Sequence, residues 1–426
     1  MKDPQKQPGA WHVGHNLRAL WHRPAGTIAV LDGLRALSVL WVIAFHWTLQ
    51  LAIDPLGGDH SLGLLTSPAK ELADEVSRSW WMRWLLSGDL GVDIFLLLSG
   101  FLIAHLLVQE QNKTGSLQVG RFLWRRWLRI APAYFAILLL YQGDPGQKAI
   151  CAEHGWSNLL FVNNFVGPQA SKHACMAHSW SLAVEMQFYL LSPWLIPWLA
   201  RASTKQLFVR TGALLAMAQL WQGFVLVDHW NLPLAAWFND TLYSKPLTRL
   251  PPYLMGALVA LLWQRGGIRS DNPGKLRLAD SLALGCTGVL VFLGAGDHLY
   301  EYLLDHDPFR LSNVWLLWLG RAIFAAALGW LLLAVLQGRL PWLQRIWAWH
   351  GWVPVAGLSY ALYLVQYVAL LPMLLKAGPY LNATRTAPEF LLMSGAWLLG
   401  AFFLAAFVAL VLHLTVERPL MNLRKR

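Results

Sequence analysis

Ten long apolar runs constrain this chain more than any other feature of its sequence. An α-helix needs about 20 apolar residues to cross ~30 Å of hydrocarbon, and only helices and closed barrels satisfy their backbone hydrogen bonds within lipid. The runs therefore predict an all-α polytopic membrane protein with about ten transmembrane helices. They lie at residues 29–53, 90–108, 127–142, 179–200, 207–227, 251–264, 280–296, 312–336, 352–375 and 390–416.

The composition excludes several other classes of protein. With 56% hydrophobic and 13% charged residues, the chain departs from soluble domains, in which about a quarter of the residues are charged. Three cysteines are too few for a secreted disulfide scaffold. The formal net charge of +11 would suit a nucleic-acid-binding protein only if the basic residues formed one face or stripe.

The basic residues instead follow the loops of a membrane topology. Of the 34 lysines and arginines, 22 lie in one alternate set of connections and 11 on the other face, with Arg35 inside the first span. By the positive-inside rule, this asymmetry predicts that the first set and both termini are cytoplasmic. The basic charge therefore reflects membrane topology and does not indicate nucleic-acid binding. The first set comprises residues 1–28, 109–129, 201–210, 265–277, 339–345 and 418–426.

The sequence predicts one membrane domain, at residues 29–416. A cytoplasmic segment at 1–28 precedes it and a cytoplasmic tail at 417–426 follows it. Because residues 1–28 contain no apolar run before a small-residue cleavage site, we expect the first span to be a retained helix.

Two of the three cysteines fall in one predicted outer loop, at residues 143–178. There an oxidising compartment would let Cys151 and Cys175 form a disulfide. Two unrelated thiols are the alternative. Cys286 lies in an apolar span.

Two ionisable residues of the first span share one helical face. Arg35 and His46 are separated by eleven helical steps, or about 1100°, which leaves them ~20° from alignment and ~16 Å apart in depth. Ionisable side chains within spans are costly enough to indicate function. The alternative is that Arg35 reaches the cytoplasmic headgroups and His46 lies at the opposite interface.

The second and fourth spans also carry carboxylates. Asp93 lies near the outer end of the second span, at the depth expected of His46, and Ser99 lies at its middle. Glu185 lies in the outer half of the fourth span, too far into the helix to be a cap.

By depth, these side chains form two layers with different chemistry. His46, Asp93 and Glu185 lie toward the outside, where a histidine beside a carboxylate can act as a general base on a hydroxyl. Arg35 and the arginines just before and at the start of the third span lie toward the cytoplasm, where they suit a phosphorylated molecule. A positive-inside loop would explain most of these arginines without function. They are Arg121, Arg125, Arg126 and Arg129.

Four sets of motifs follow one another along the chain. They are Asp32-Gly33-Leu34-Arg35 with His46, Gly91-Val92-Asp93-Ile94-Phe95 with Ser99-Gly100-Phe101-Leu102-Ile103, Arg125-Arg126 with Arg129-Ile130 and Pro132, and Trp180-Ser181-Leu182 with Glu185, Gln187, Phe188 and Tyr189. In this order they resemble the motifs of acyltransferase family 3, whose members are membrane proteins. The resemblance covers nearly the whole chain and is densest before residue 200.

The resemblance implies an activity. Such proteins move an acyl group, often acetyl, from a cytosolic acyl-CoA, the donor co-substrate, to a hydroxyl of an extracytoplasmic glycan or lipid-linked sugar. It implies that His46 is the base or acyl-handling residue and that Glu185 orients it; Asp93, at the same depth, joins them in the predicted catalytic group. A bacterial cytoplasmic (inner) membrane is the expected location.

The donor side follows from the same resemblance. Arg35, Arg126 and Arg129 are the expected CoA-binding residues, together with Ser99. No metal site is expected, since no histidine pair has HExxH or similar spacing. One departure stands out: Gln366 occupies a position where the family usually has histidine. The outer loop is more similar to the nose-resistant-to-fluoxetine branch than to simple bacterial members.

A proton-coupled transporter is the alternative from another functional class. It would also place a histidine and carboxylates within spans. Transporters are usually built from repeats with broken helices near the midplane, however, and the chain shows no second copy of the Arg35–His46 pattern.

Overall fold

The predicted all-α class is confirmed over the part of the chain that the structure describes. In a computed structural model, the described residues are 11–53, 64–79, 82–166, 175–229, 238–293 and 316–423. Within these ranges the chain forms helices and turns without a β-strand. Parts of two predicted spans, residues 294–296 and 312–315, lie outside the described residues, as do residues 1–10 and 424–426 of the predicted cytoplasmic segments.

Sixteen α-helices are formed by the described residues. They are α1 (Val13–Leu20), α2 (Val30–Ile53), α3 (Ser67–Arg78), α4 (Arg83–Leu86), α5 (Leu90–Thr114), α6 (Val119–Gly143), α7 (Pro145–Leu159), α8 (Trp180–Ala200), α9 (Thr204–Asp228), α10 (Pro246–Gln264), α11 (Pro273–Leu293), α12 (Arg321–Leu336), α13 (Pro341–Trp347), α14 (Trp352–Asn382), α15 (Ala387–Leu412) and α16 (Arg418–Leu423). Short 3-10 helices occupy Asn163–Phe165 and Ala177–Ser179, and π-helical turns occupy Phe238–Tyr243, Leu316–Gly320 and His413–Glu417.

Each predicted span coincides largely with one of these helices. Five helices are long and apolar enough to cross a membrane by length and composition, so the chain is an integral membrane protein. The count of ten spans and the cytoplasmic side of both termini stay predictions. The five are Val30–Leu51, Leu90–Thr114, Trp318–Leu336, Trp352–Asn382 and Ala387–Asn422.

The two shortest predicted spans belong to longer helices. The sequence predicts a helix start at Pro251, but α10 begins at Pro246, where a proline fits the first turn because its missing N–H has no partner there. Likewise α6 begins at Val119. The arginines around the predicted start of the third span are therefore all helical, and their side chains have defined faces.

Helix α5 lies at the centre of the packing, against α2, α8, α10 and α12. Its approach to α10 is close: a Cβ on Gly100 would lie 2.0 Å from the carbonyl oxygen of Tyr253, and one on Gly256 would lie 1.8 Å from that of Leu97. Small residues at such contacts let membrane helices pack backbone to backbone. This packing fixes the residues of α5 that face the site.

The structure confirms the predicted disulfide between Cys151 and Cys175, and Cys286 is a free cysteine. The bond joins α7 to the turn that leads into α8. Helix α14 packs against both α2 and α15.

Candidate functional site

A cavity lies among five helices, α2, α5, α6, α8 and α14. One wall is apolar and comes from α5, on which Val92, Phe95, Leu96 and Leu102 recur at helical spacing. The polar lining residues come mostly from the other helices. They are Arg35, Ser99, Arg126, Arg129, Glu185 and Tyr189, of which Ser99 belongs to α5.

The predicted donor-side residues thus meet in one place. Arg35 comes from α2, whereas Arg126 and Arg129 are three residues apart on α6 and so share a face. Arg121, which the sequence grouped with them, is exposed, and its guanidinium lies 3.4 Å from Gln118 instead. The helical start of α6 at Val119 explains this division.

Glu185 belongs to this cavity rather than to the His46 layer in which the sequence placed it. Its Oε1 accepts hydrogen bonds from Ser99 Oγ at 2.8 Å and from the hydroxyl of Tyr189, one turn along α8. The guanidinium of Arg126 lies 5.6 Å from the Tyr189 ring centroid. The carboxylate therefore balances part of the positive charge that three arginines bring to the cavity.

His46 lies outside the cavity lining and has a different partner from those predicted. Its Nδ1 is 2.9 Å from Oε1 of Gln366 on α14. Since that oxygen can only accept, Nδ1 carries the hydrogen and Nε2 keeps its lone pair. The predicted contact of His46 with Glu185 or Asp93 is wrong. Depth along a helix does not decide which side chains touch, because that depends on how neighbouring helices are rotated.

Asp93 is engaged in a buried ionic cluster. Arg249 Nη1 donates to its Oδ1 at 3.0 Å, and Arg321 donates to its Oδ2 and also to Asp89. All four side chains are at most 4% exposed. Two carboxylates thus balance two guanidiniums, and the Arg249 guanidinium also lies 4.2 Å from the ring centroid of Tyr243.

This arrangement gives Asp93 a structural role in place of the predicted one beside His46. Both of its oxygens are taken, and the cluster ties α5 to α10 and α12. The sequence analysis missed the two arginines. Arg321 lies within the predicted span 312–336, where the rule used for Arg35 would have marked it.

The surroundings of His46 contain further residues that the sequence analysis did not assign. Tyr367 packs against the imidazole with ring centroids 5.1 Å apart, and it packs equally against His178 at 5.0 Å. Tyr363, one turn earlier on α14, lines the cavity and contacts His178 at 5.8 Å. Helix α14 therefore connects the cavity to the neighbourhood of His46.

Comparison with known proteins decides the family. A sequence profile described as an acyltransferase domain, that of acyltransferase family 3, matches residues 28–414. The chain belongs to acyltransferase family 3. The match includes all five helices of the cavity and His46, so the family expected from the sequence motifs is confirmed.

Relatives of this acyltransferase family 3 chain include proteins from animals and bacteria. "Nose resistant to fluoxetine protein 6" of Caenorhabditis elegans is 24% identical over 92% of this chain and 50% of its own. "Peptidoglycan O-acetyltransferase OatA" of Listeria monocytogenes is 24% identical over 83% of this chain and 50% of its own. "O-acetyltransferase OatA" of Staphylococcus aureus strain NCTC 8325 is 26% identical over 62% and 39%. The chain spans half or less of the length of these relatives, and no solved structure matches it.

Proposed function

We propose that this chain is a membrane-embedded O-acyltransferase that moves an acyl group, acetyl above all, from cytosolic acyl-CoA to a hydroxyl of an extracytoplasmic glycan or lipid-linked saccharide. The observation that carries the proposal is the cavity in which Arg35, Arg126 and Arg129 meet. On α14, Tyr363 lines this cavity, and Gln366, three residues later, holds His46 in the tautomer of a base. The names of the bacterial relatives, which describe O-acetyltransferases and in one case a peptidoglycan O-acetyltransferase, support acetyl as the group and peptidoglycan as one acceptor.

The cavity suits the donor. Guanidinium groups bind phosphates through paired N–H donors, and CoA carries several phosphates. The apolar wall of α5 would shelter the pantetheine arm and the acyl group, which are largely uncharged. Glu185 keeps the cavity from a large excess of positive charge, so an anionic donor would bind and still leave after reaction.

His46 suits the acceptor. Its Nε2 would take the hydroxyl proton as the oxygen attacks the thioester carbonyl. A C–O bond then forms and the C–S bond breaks. The sulfur leaves as thiolate and receives a proton, so that acyl thioester and hydroxyl become ester and thiol. Gln366 maintains Nδ1–H throughout, which keeps Nε2 available as the base.

The donor cavity and His46 are adjacent along α14. Tyr360 and Tyr363 line the cavity, whereas Gln366 and Tyr367 contact His46. Three or four residues of helix correspond to about 5 Å. A thioester at the end of a pantetheine arm that lies in the cavity would reach His46 by passing Tyr363.

The test is transfer by the purified full chain in lipid nanodiscs. Acetyl-CoA labelled in the acetyl group is supplied with peptidoglycan fragments or lipid-linked saccharides. We expect label in a hydroxylamine-sensitive ester of the acceptor and an equal amount of free CoA. If no acceptor elicits CoA release while proteoliposomes accumulate a solute in response to a proton gradient, the chain is a transporter and the proposal fails.

The proposal includes a topology. Acyl-CoA is cytosolic, so the cavity must open to the cytoplasm and His46 must lie toward the other face. The surplus of lysine and arginine in the loops on the Arg126 side supports this orientation, as it supports a cytoplasmic position of both termini. For a bacterial chain, the membrane would be the cytoplasmic one.

A further inference from the structure

We propose that His178 is a positioning residue of the reaction centre. From a turn that the Cys151–Cys175 disulfide anchors, it holds Tyr367 and, through Tyr367, the imidazole of His46. The inference rests on the proposed acyl transfer and deepens it, because it ties the outer loop to the base.

Tyr367 contacts both histidines. Its ring centroid is 5.1 Å from that of His46 and 5.0 Å from that of His178. His178 also donates from Nε2 to the carbonyl oxygen of Leu364, at 3.3 Å. Since Gln366, the partner of His46, lies between Leu364 and Tyr367 on α14, His178 braces the segment that sets the orientation of the base.

The backbone before His178 is held in an unusual conformation. Met176 has φ of 55° and is fully buried, although a bulky residue rarely adopts a positive φ. The neighbouring Cys175 is bonded to Cys151, and its carbonyl oxygen accepts from Asn158 Nδ2 at 2.9 Å. Strain of this kind persists only where the surroundings enforce it, and it is concentrated at functional sites.

The backbone at and after His178 is fixed as well. The hydroxyl of Tyr363 donates to the carbonyl oxygen of His178. Ser179 Oγ accepts from Asn163 Nδ2 at 3.0 Å and lies 3.2 Å from the hydroxyl of Tyr134. His178 is therefore presented by a turn with little freedom, as a precise positioning role requires.

The hydrogen bond of His178 to Leu364 suits a positioning role. Burial lowers the pKa of His178 to about 3, with a smaller contribution from nearby His46. The imidazole is then neutral at physiological pH. A neutral ring with one N–H directed at Leu364 is suited to holding a neighbour in place.

Three substitutions of His178 test the proposal. His178→Ala removes both the ring contact and the hydrogen bond, and we expect kcat to fall about 10- to 100-fold with the KM for acetyl-CoA within about twofold of wild type. His178→Gln places an N–H near the position of Nε2 and should recover much of kcat. His178→Asn is as polar but too short to reach Leu364, so it should resemble His178→Ala.

A double-mutant cycle separates positioning from a general loss of structure. If His178 acts on the Gln366 segment, His178→Ala should have little further effect in the Gln366→Leu background. His105→Ala is the matched control. His105 also contacts aromatic rings, but it lies in the C-terminal half of α5 and does not line the cavity. It should leave kcat unchanged.

A third experiment removes the disulfide with the double variant Cys151→Ser/Cys175→Ser, and Cys286→Ser, which removes the free cysteine, is the control. We expect the double variant to lose kcat as His178→Ala does and to bind acetyl-CoA normally. Wild-type kcat in a folded His178→Ala protein, or full additivity with Gln366→Leu, would overturn the inference. If His178→Ala does not fold, the kcat of His178→Gln is compared with that of His178→Asn, and equal values would overturn it. Failure of wild type to transfer acetyl would instead refute the proposed function.

Discussion

At the scale of single residues, the amide of Gln366 decides which nitrogen of His46 carries hydrogen. The carboxylate partner that the sequence predicted for His46, from Glu185 or Asp93, would also stabilise a protonated imidazole, whereas an amide fixes the tautomer without adding charge. Gln366 Nε2 is buried and has no hydrogen-bond partner among the described residues. A change of this amide to a carboxylate would therefore break no bond to a described residue.

That asymmetry allows a matched pair of variants at Gln366. Gln366→Leu leaves Nδ1–H without an acceptor, which costs about 1–3 kcal/mol, so we expect kcat to fall about 5- to 150-fold. Gln366→Glu keeps an acceptor oxygen and should retain transfer at neutral pH, but the acid limb of its pH–rate profile should move to higher pH. Equal profiles for wild type and Gln366→Leu would contradict the assigned role.

The arginines of the cavity provide a second residue-scale prediction. Arg126→Lys and Arg129→Lys keep the charge but lose the paired donors, so we expect the KM for acetyl-CoA to rise about tenfold with a smaller change in kcat. Arg121→Lys is the control, since Arg121 is exposed and does not line the cavity. Unchanged KM in both cavity variants would mean that positive charge in the loop is sufficient.

At the scale of helices, the cluster of Asp89, Asp93, Arg249 and Arg321 joins α5 to α10 and α12. Taking ions out of water is costly, and removing one partner leaves a buried charge that nothing balances. The glycine contacts between α5 and α10 depend on the same pair of helices. The cluster therefore contributes to holding the α5 wall of the cavity in place.

The cluster predicts opposite effects of single and paired substitutions. Asp93→Leu should lower the stability of the purified protein by about 3–5 kcal/mol, measured as its thermal transition in detergent. Asp93→Leu/Arg249→Leu restores the charge balance between Asp89 and Arg321 and should be more stable than the single variant. Loss of transfer by Asp93→Leu with an unchanged thermal transition would instead return Asp93 to the catalytic role that the sequence predicted.

At the scale of the whole molecule, the distribution of basic residues predicts which loops face the cytoplasm. Leu160 lies in the predicted outer loop and is 67% exposed, and Lys113 is an exposed residue near the end of α5. Both positions are therefore suited to chemical labelling in intact cells.

The topology can be tested in a Cys286→Ala background, in which the two remaining cysteines are bonded to each other. Leu160→Cys should react with an impermeant maleimide in intact cells, and Lys113→Cys should react only after permeabilisation. The reverse pattern would refute the orientation and, with it, the access of acyl-CoA to the cavity.

The sequence predicted the helices and the grouping of the cavity arginines better than the partner of His46. Apolar runs predict helices directly, because length and hydropathy are properties of one segment. Arg126 and Arg129 could be paired because residues three positions apart on one helix share a face. The partner of His46 could not be predicted, because Gln366 lies 320 residues away and the contact depends on how α2 and α14 are rotated. The turn at Met176 has no sequence signal, since methionine does not favour a positive φ.

The central claim is that His46 is the base of an acyl transfer whose donor binds elsewhere. The most direct measurement compares wild type with His46→Ala in nanodiscs for two quantities, acetyl transfer to the acceptor and equilibrium binding of acetyl-CoA. A general base contributes about 10²–10⁴-fold, so we expect transfer to fall by that factor while the Kd for acetyl-CoA stays within about twofold. Near wild-type transfer by folded His46→Ala, or a defect confined to acetyl-CoA binding, would contradict the account.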